Sequence, residues 1–194
     1  MNFLAHIYLS NKEEPIIIGN FIADFIKGNN YKHLPIEVQK GILLHRQIDS
    51  FTDQHEIVRK SRNRLHKCYG HYRGIIIDIL YDHFLAKNWT DYSDKPLIKT
   101  EINFIKIMNN NWEILPEKVK NIIPHIEKQK WLSGYATFNG IEKSLKGMDK
   151  RTKNKSQMQL AIQDLQINYN EFNNDFTDFF KDLIIFTNKT RKTL

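Results

Sequence analysis

The sequence predicts an all-α fold, with a single compact multi-helix domain covering residues 1–194. Three observations lead there. Apolar side chains recur with the 3.6-residue period of a helix along most of the chain, and strand-like alternation is nearly absent. Prolines and glycines fall between the periodic segments, where helices begin and end. With 194 residues and 41% hydrophobic content the chain can bury one sizeable core, and no stretch is long enough to separate two domains.

Taken in order, the first helix is expected near residues 2–10 and the second near 15–27, over the apolar run Ile16 to Ile26 that Gly28 closes. The third, near 35–52, starts at Pro35, whose fixed φ suits a first turn. The fourth, near 54–68, carries the basic stretch Arg59-Lys60-Ser61-Arg62-Asn63-Arg64, read as a solvated face, and stops before Gly70. The fifth, near 71–88, is almost wholly apolar from Gly74 to Leu85, so it should be buried on most sides. Trp89 to Pro96 reads as a loop. Helices near 96–111 and 116–127 follow, the second opening on Pro116. A helix near 137–147 ends at Gly147, and Asp149 to Lys155 is the only candidate linker. Residues 156–190, with Leu160, Leu165, Phe172, Phe176 and Phe180 among their apolar positions, form one amphipathic helix or a broken pair.

Composition narrows the function classes. The single cysteine, Cys68, excludes an intramolecular disulfide framework and fits a reducing compartment. The start, Met1 to His6, has neither the basic region nor the small-residue cleavage site of a signal peptide. Asn20 and Asp24 interrupt the most apolar run, which therefore cannot pass as a membrane span. A cytoplasmic protein with no membrane partner is expected. The net charge of +7 favours acidic partners. A nucleic-acid module would cluster its bases with interleaved aromatics, whereas the lysines here are dispersed, so nucleic acid is not an expected partner. No P-loop, dinucleotide fingerprint or nucleophile elbow is present.

The chemistry is signalled by acids in apolar helices. Asp78 and Asp82 lie one turn apart inside Gly74 to Leu85, where an ionised carboxylate needs a partner or a metal. His45 and Asp49 repeat the spacing inside Gly41 to Phe51. Imidazole plus carboxylate is a ligand set for Mn, Fe or Zn, and further hard carboxylate oxygens favour Mg or Mn over Zn. The plainer readings are a His45–Asp49 hydrogen bond that fixes packing, and Asp78 and Asp82 as a pair of N–H acceptors or as partners of Arg73 or Arg46.

Several blocks then fall into one pattern. Residues 1–6 (Met-Asn-Phe-Leu-Ala-His), 19–28, 41–53, 78–85 and 131–135, with Gly147, Met148 and Arg151, together resemble the acyl carrier protein phosphodiesterase family, in order along the chain. The resemblance implies a helical fold related to the HD-type metal-dependent phosphohydrolases and an activity associated with manganese. It also implies the reaction: removal of the 4′-phosphopantetheine arm from holo-acyl carrier protein by hydrolysis of its phosphodiester to a serine hydroxyl. This chain lacks the contiguous His-Asp pair of ordinary HD enzymes, and its one adjacent pair, Asp82-His83, is reversed.

Carried over residue by residue, the resemblance implies a divalent metal, Mn2+ first and Mg2+ or Fe2+ as substitutes, on His6, Asp24, His45, Asp49, Asp78 and Asp82. Asp24, Asp49, His83 and Arg46 become candidate catalytic residues, and Lys27, Arg46 and Arg151 candidate substrate-binding ones. Each keeps an alternative. Asp24 could pair with Lys27, and His6 could be a packed, hydrogen-bonded histidine. His83, about 100° round the helix from Asp82, reads as ligand, as proton donor to the departing alkoxide, or as core. Arg46 either clamps phosphate oxygens bidentately or pairs with Asp24 or Asp82. Asp53 reads as the N-cap of the next helix, and Trp131 and Tyr135 as core. The expected partner is holo-acyl carrier protein, an acidic protein that the basic surface would steer. The alternative function is an HD-like metal-dependent phosphohydrolase acting on a nucleotide or other small phosphodiester.

Overall fold

A computed structural model describes residues 1–194 and shows helices, short 3-10 turns and no strand, so the all-α expectation holds. The α-helices are α1 (Phe3–Leu9), α2 (Glu14–Ile22), α3 (Ile36–Gln54), α4 (Glu56–Arg64), α5 (Arg73–Lys87), α6 (Leu97–Asn110), α7 (Glu117–Gln129), α8 (Trp131–Gly134), α9 (Phe138–Arg151), α10 (Ala161–Ile167) and α11 (Tyr169–Arg191). One cluster of 49 buried apolar residues runs from Met1 to Leu183, so the long helices share a core. As expected, α5 is buried on most sides: Ile76, Ile77, Leu80, Tyr81, Phe84 and Leu85 have no exposed surface. Phe172, Phe176, Phe179, Phe180 and Leu183 of α11 pack one face of that helix into the same core. No helix is long and apolar enough to cross a membrane.

The differences from expectation lie at element ends and have local causes. Helix α2 stops at Ile22, and residues 23–25 wind as a 3-10 turn that carries Asp24 out of the buried face. The cap of α4 is His55, whose ring nitrogen accepts from the Ile57 N–H at 3.3 Å, while Asp53 stays inside α3. Gly147 lies within α9, and the expected linker shrinks to a turn after Arg151. Buried Asp149 closes that turn by accepting from the Ser156 hydroxyl at 2.6 Å. The terminal segment is the broken pair, parted at Asn168. The basic stretch of α4 is not simply solvated, because Lys60 and Arg64 reach Asp175 of α11 at 3.1 and 2.7 Å.

Two packing devices position the buried histidines and acids of α1, α3 and α5. Helices α2 and α3 cross at Gly19 and Gly41, so closely that a Cβ on Gly19 would sit 2.0 Å from the Val38 carbonyl oxygen, and one on Gly41 would sit 2.6 Å from that of Ile16. Helix α1 has no side-chain cap from its own N-cap residue, Asn2. Asp82 of α5 caps it instead, its two oxygens accepting from the Leu4 and Ala5 N–H groups at 2.7 and 3.1 Å. The free N–H groups of a buried helix start require such a partner.

The crossing makes a sharp prediction. Gly19→Ala meets backbone that cannot yield and should cost about 3 kcal/mol or more. Gly28→Ala, at φ +54° with nothing within 4 Å of the new methyl, should cost only about 1 kcal/mol of backbone strain. Urea unfolding of the two variants checks the order. Equal losses would mean the helices separate easily at Gly19.

Candidate metal centre

The centre starts at Asn20, fully buried on α2. Its amide nitrogen donates to the His6 carbonyl at 2.9 Å and to Ser10 Oγ at 3.0 Å, which fixes the amide's orientation. Its Oδ1 therefore accepts from His6 Nδ1, 2.7 Å away. The Asn20 backbone carbonyl accepts from His45 Nδ1 at 2.8 Å. One residue thus orients two imidazoles, one from α1 and one from α3, and their rings stack with centroids 4.0 Å apart. With both Nδ1 atoms donating, both Nε2 atoms turn into one shared space.

Asp49, one turn beyond His45, faces that space. Its Oδ2 lies 3.0 Å from His45 Nε2 and its Oδ1 3.2 Å from His6 Nε2. His6, His45 and Asp49 each offer a ligand atom, all within 4.8 Å of one another. Asp24 Oδ1 is 3.1 Å from His45 Nε2. The Met1 ammonium lies 3.3 Å from both Asp49 Oδ1 and Asp78 Oδ1, which draws Asp78 to the edge of the cluster. The His6 and His45 side chains are 2% and 6% exposed, against 39% for Asp49 and 53% for Asp24. Imidazoles form a buried floor, and carboxylates form a rim open to solvent.

The charges are set by this arrangement. Burial, reinforced by the neighbouring His45, pushes the His6 pKa down and keeps it neutral. Its single proton is committed at Nδ1, since Asn20 Oδ1 can only accept. The lone pair of Nε2 then faces two more acceptors, the Met1 carbonyl and Asp49 Oδ1, both at 3.2 Å. Asp49 Oδ1 also accepts from the Met1 ammonium, but none of these groups donates to His6 Nε2, and a lone pair so placed among oxygens suits a cation. Burial also opposes charge on His45, but its hydrogen bonds to Asp24 and Asp49 outweigh it and raise the pKa to about 9. Asp49 is held well below the usual carboxylate range, the two histidines overcoming its burial. Burial raises Asp78, and the Met1 ammonium beside it offsets part of that.

Of the six expected ligands, His6, His45 and Asp49 converge, Asp24 adjoins them through His45, and Asp78 touches the Met1 ammonium beside Asp49; Asp82 points elsewhere. Both Asp82 oxygens are taken by the N–H groups of α1, and burial lifts its pKa to about 7. It serves the centre at one remove, by fixing the helix that carries His6. His83 also lies apart: its Nδ1 donates to the Tyr135 carbonyl at 2.7 Å and its Nε2 meets the Tyr169 hydroxyl at 3.1 Å. That is a packed core histidine. Arg46 pairs with neither Asp24 nor Asp82; it donates to the Gly28 carbonyl and lies 4.9 Å over the Tyr31 ring. Lys27 is exposed and makes no ion pair with Asp24, whose partner is His45. Arg151 is exposed at the end of α9, near enough to Tyr135 to lower its phenol against the burial that raises it. The Tyr135 hydroxyl in turn accepts from Asn2 Nδ2 at 3.0 Å. Asn20 is the residue that sequence reasoning misses; its one signal is an amide inside the apolar run Ile16 to Ile22.

Comparison with known proteins gives a consistent picture. The acyl carrier protein phosphodiesterase family matches residues 1–183. The acyl carrier protein phosphodiesterase of Photorhabdus laumondii subsp. laumondii is 32% identical over 181 residues, 93% of this chain and 91% of the relative. That of Salmonella agona is 30% identical over 183 residues, 93% of this chain and 94% of the relative. That of Klebsiella pneumoniae is 29% identical over 189 residues, 95% and 96% of the two chains. No solved structure matches the chain.

The raised His45 pKa predicts a pH dependence in chelator. The native state binds the proton more tightly than the unfolded state, so His45 stabilises the fold fully below pH 6.5 and loses that contribution as pH rises through about 9. The difference in unfolding free energy between wild type and His45→Gln should shrink across that window by on the order of 3 kcal/mol. Urea titrations from pH 6 to 10 measure it, and a pH-independent difference would contradict the ion-paired His45.

Proposed function

Because the chain belongs to the acyl carrier protein phosphodiesterase family, we propose that it hydrolyses the phosphodiester joining 4′-phosphopantetheine to a serine of holo-acyl carrier protein. In this reading a divalent metal, Mn2+ first, is held by His6, His45 and Asp49, with Asp24 and Asp78 beside it. The observation that supports it most is the His6 lone pair facing the Met1 carbonyl and Asp49 at 3.2 Å, with its ring locked from behind by Asn20. Mixed imidazole and carboxylate donors suit Mn2+, and also Fe2+ or Mg2+. When bound, such an ion activates water and offsets charge on the phosphoryl oxygens.

The chain's own groups do the rest. Asp24 stays ionised at neutral pH, since hydrogen bonding to His45 lowers its pKa against the burial that opposes this. On the exposed rim it is placed to accept the proton of the attacking water. Attack at phosphorus breaks the bond to the serine oxygen, which then takes up a proton; buried His83 is not placed to give it. The exposed face of α9 presents Lys143, Lys146, Lys150 and Arg151, and the Arg151 charge acts on Tyr135, the hydrogen-bond partner of Asn2. With the net charge of +7, that face suits an acidic protein substrate arriving at the rim. The reading places the reaction in the cytoplasm.

Mass spectrometry of holo-acyl carrier protein incubated with the enzyme and Mn2+ tests the reading through loss of the 4′-phosphopantetheine mass. Turnover of small phosphodiesters with none of the carrier protein would favour the nucleotide-type alternative. Asp49→Ala and Asp78→Ala should each abolish turnover and bound Mn2+ while leaving the helical circular dichroism intact. Both variants retaining full metal and activity would place the centre elsewhere. Reversing charge at Lys143, Lys146 and Lys150 should lower kcat/KM on the carrier protein roughly tenfold at low salt, an effect that screening removes. A small phosphodiester should be cleaved as by wild type, and equal losses on both substrates would sink the docking role.

A further inference from the structure

The geometry points to Arg62 of α4 as a phosphate-binding residue: its guanidinium holds a non-bridging oxygen of the phosphodiester being hydrolysed at the His6–His45–Asp49 centre. The inference rests on the proposed reaction and adds to it a residue that the sequence placed on a solvated face. Two stripes of side chains lead to Arg62. Along α3, His45, Asp49 and Asp53 follow one another at single-turn spacing, and Arg62 Nη2 donates to Asp53 Oδ1. Along α5, Asp78 stands one turn beyond Gly74. The Arg62 guanidinium lies against Gly74, its Nη2, Cζ and Nε falling 3.6, 3.7 and 3.7 Å from where a Cβ would be. Asp49 and Asp78 meet at the Met1 ammonium, so Arg62 lies between the same two helices one turn further on. A turn rises about 5.4 Å, a gap that one phosphoryl group spans when an N–H···O contact adds about 2.9 Å.

The donors of Arg62 are mostly unspent. Of its five N–H groups, one goes to Asp53, a carboxylate that is 69% exposed, and exposed ion pairs contribute little. Its Nε is buried without a partner, and its Nη1 donates to nothing in the protein. The side chain is nonetheless only 23% exposed. A half-buried guanidinium with free N–H groups is poised for an anion that can take two of them at once. It also adds a cation beside carboxylates, Asp49 and Asp78, that would repel a phosphodiester and that the Met1 ammonium already engages. Arg62 is already close enough to help pull down the Asp78 pKa against burial. Gly74 keeps the helix face bare where the guanidinium rests.

The test compares Arg62→Lys, Arg62→Ala and Asp53→Asn in the Mn2+-supplemented enzyme. Readouts are kcat and KM on holo-acyl carrier protein and on bis(p-nitrophenyl) phosphate, melting temperature, bound Mn2+, and inorganic phosphate affinity by calorimetry. Arg62→Lys should lose roughly tenfold or more in kcat/KM on both substrates, since the lysine keeps the charge but not the fork. Arg62→Ala should bind phosphate several-fold more weakly, and added guanidinium should restore part of its turnover. Melting temperature and Mn2+ content should hold, and Asp53→Asn should stay near wild type. A loss that Asp53→Asn reproduces, that excess Mn2+ rescues, or that accompanies a fall in melting temperature would make Arg62 a structural ion pair and overturn the inference. If wild type cleaves neither substrate, the proposed phosphodiester hydrolysis itself fails. Arg62 is then judged by phosphate binding alone, and unchanged affinity in Arg62→Ala refutes it.

Discussion

The close crossing of α2 and α3 is the constraint on which the centre depends. Gly19 and Gly41 let two backbones approach within a distance that any side chain would forbid. Only at that distance does the Asn20 carbonyl of α2 reach His45 Nδ1 of α3. The Asn20 side chain, fixed by its bonds to the His6 carbonyl and Ser10, then orients His6 as well. Both rings are oriented before any ligand arrives, which is the kind of outer-layer support that metal-binding imidazoles need. A methyl group at the crossing would move both rings.

The buried carboxylates divide by what faces them. Asp82 and Glu101 each accept two backbone N–H groups at the start of a short helix, α1 and α8 respectively. Asp175 gathers Lys60, Arg64 and the Ser61 hydroxyl between α4 and α11. These acids replace the caps and ion pairs that the core would otherwise leave unmade, and each is satisfied by the protein itself. Asp49 and Asp24 instead face imidazole nitrogens and solvent, in a group whose acceptors outnumber its donors. One residue type thus builds the scaffold and the centre, and the partner atoms tell the two apart.

This division explains what is legible in the sequence. The helices are readable because the 3.6-residue period reflects one-sided burial, which local spacing records. Their ends are less so: the 3-10 turn after Ile22 and the His55 cap depend on a few backbone torsions rather than on pattern. The pair His45 and Asp49 is readable because both sit on one helix at i, i+4. Asp82 shares that spacing with Asp78 yet caps α1, since the N–H groups that claim it belong to residues 77 and 78 positions away. Asn20 and Arg62 are hidden for a similar reason. An amide in an apolar run and an arginine in a basic run acquire meaning only when α1, α3 and α5 are laid beside them.

The central claim is that His6, His45 and Asp49 hold a divalent ion against a floor set by Asn20. A crystal soaked with Mn2+, measured at the manganese absorption edge, tests it most directly. The account predicts an anomalous peak among His6 Nε2, His45 Nε2 and Asp49, with the Asn20 contacts to both rings unchanged. A peak at Asp82 and His83, or no peak at saturating Mn2+, would contradict it.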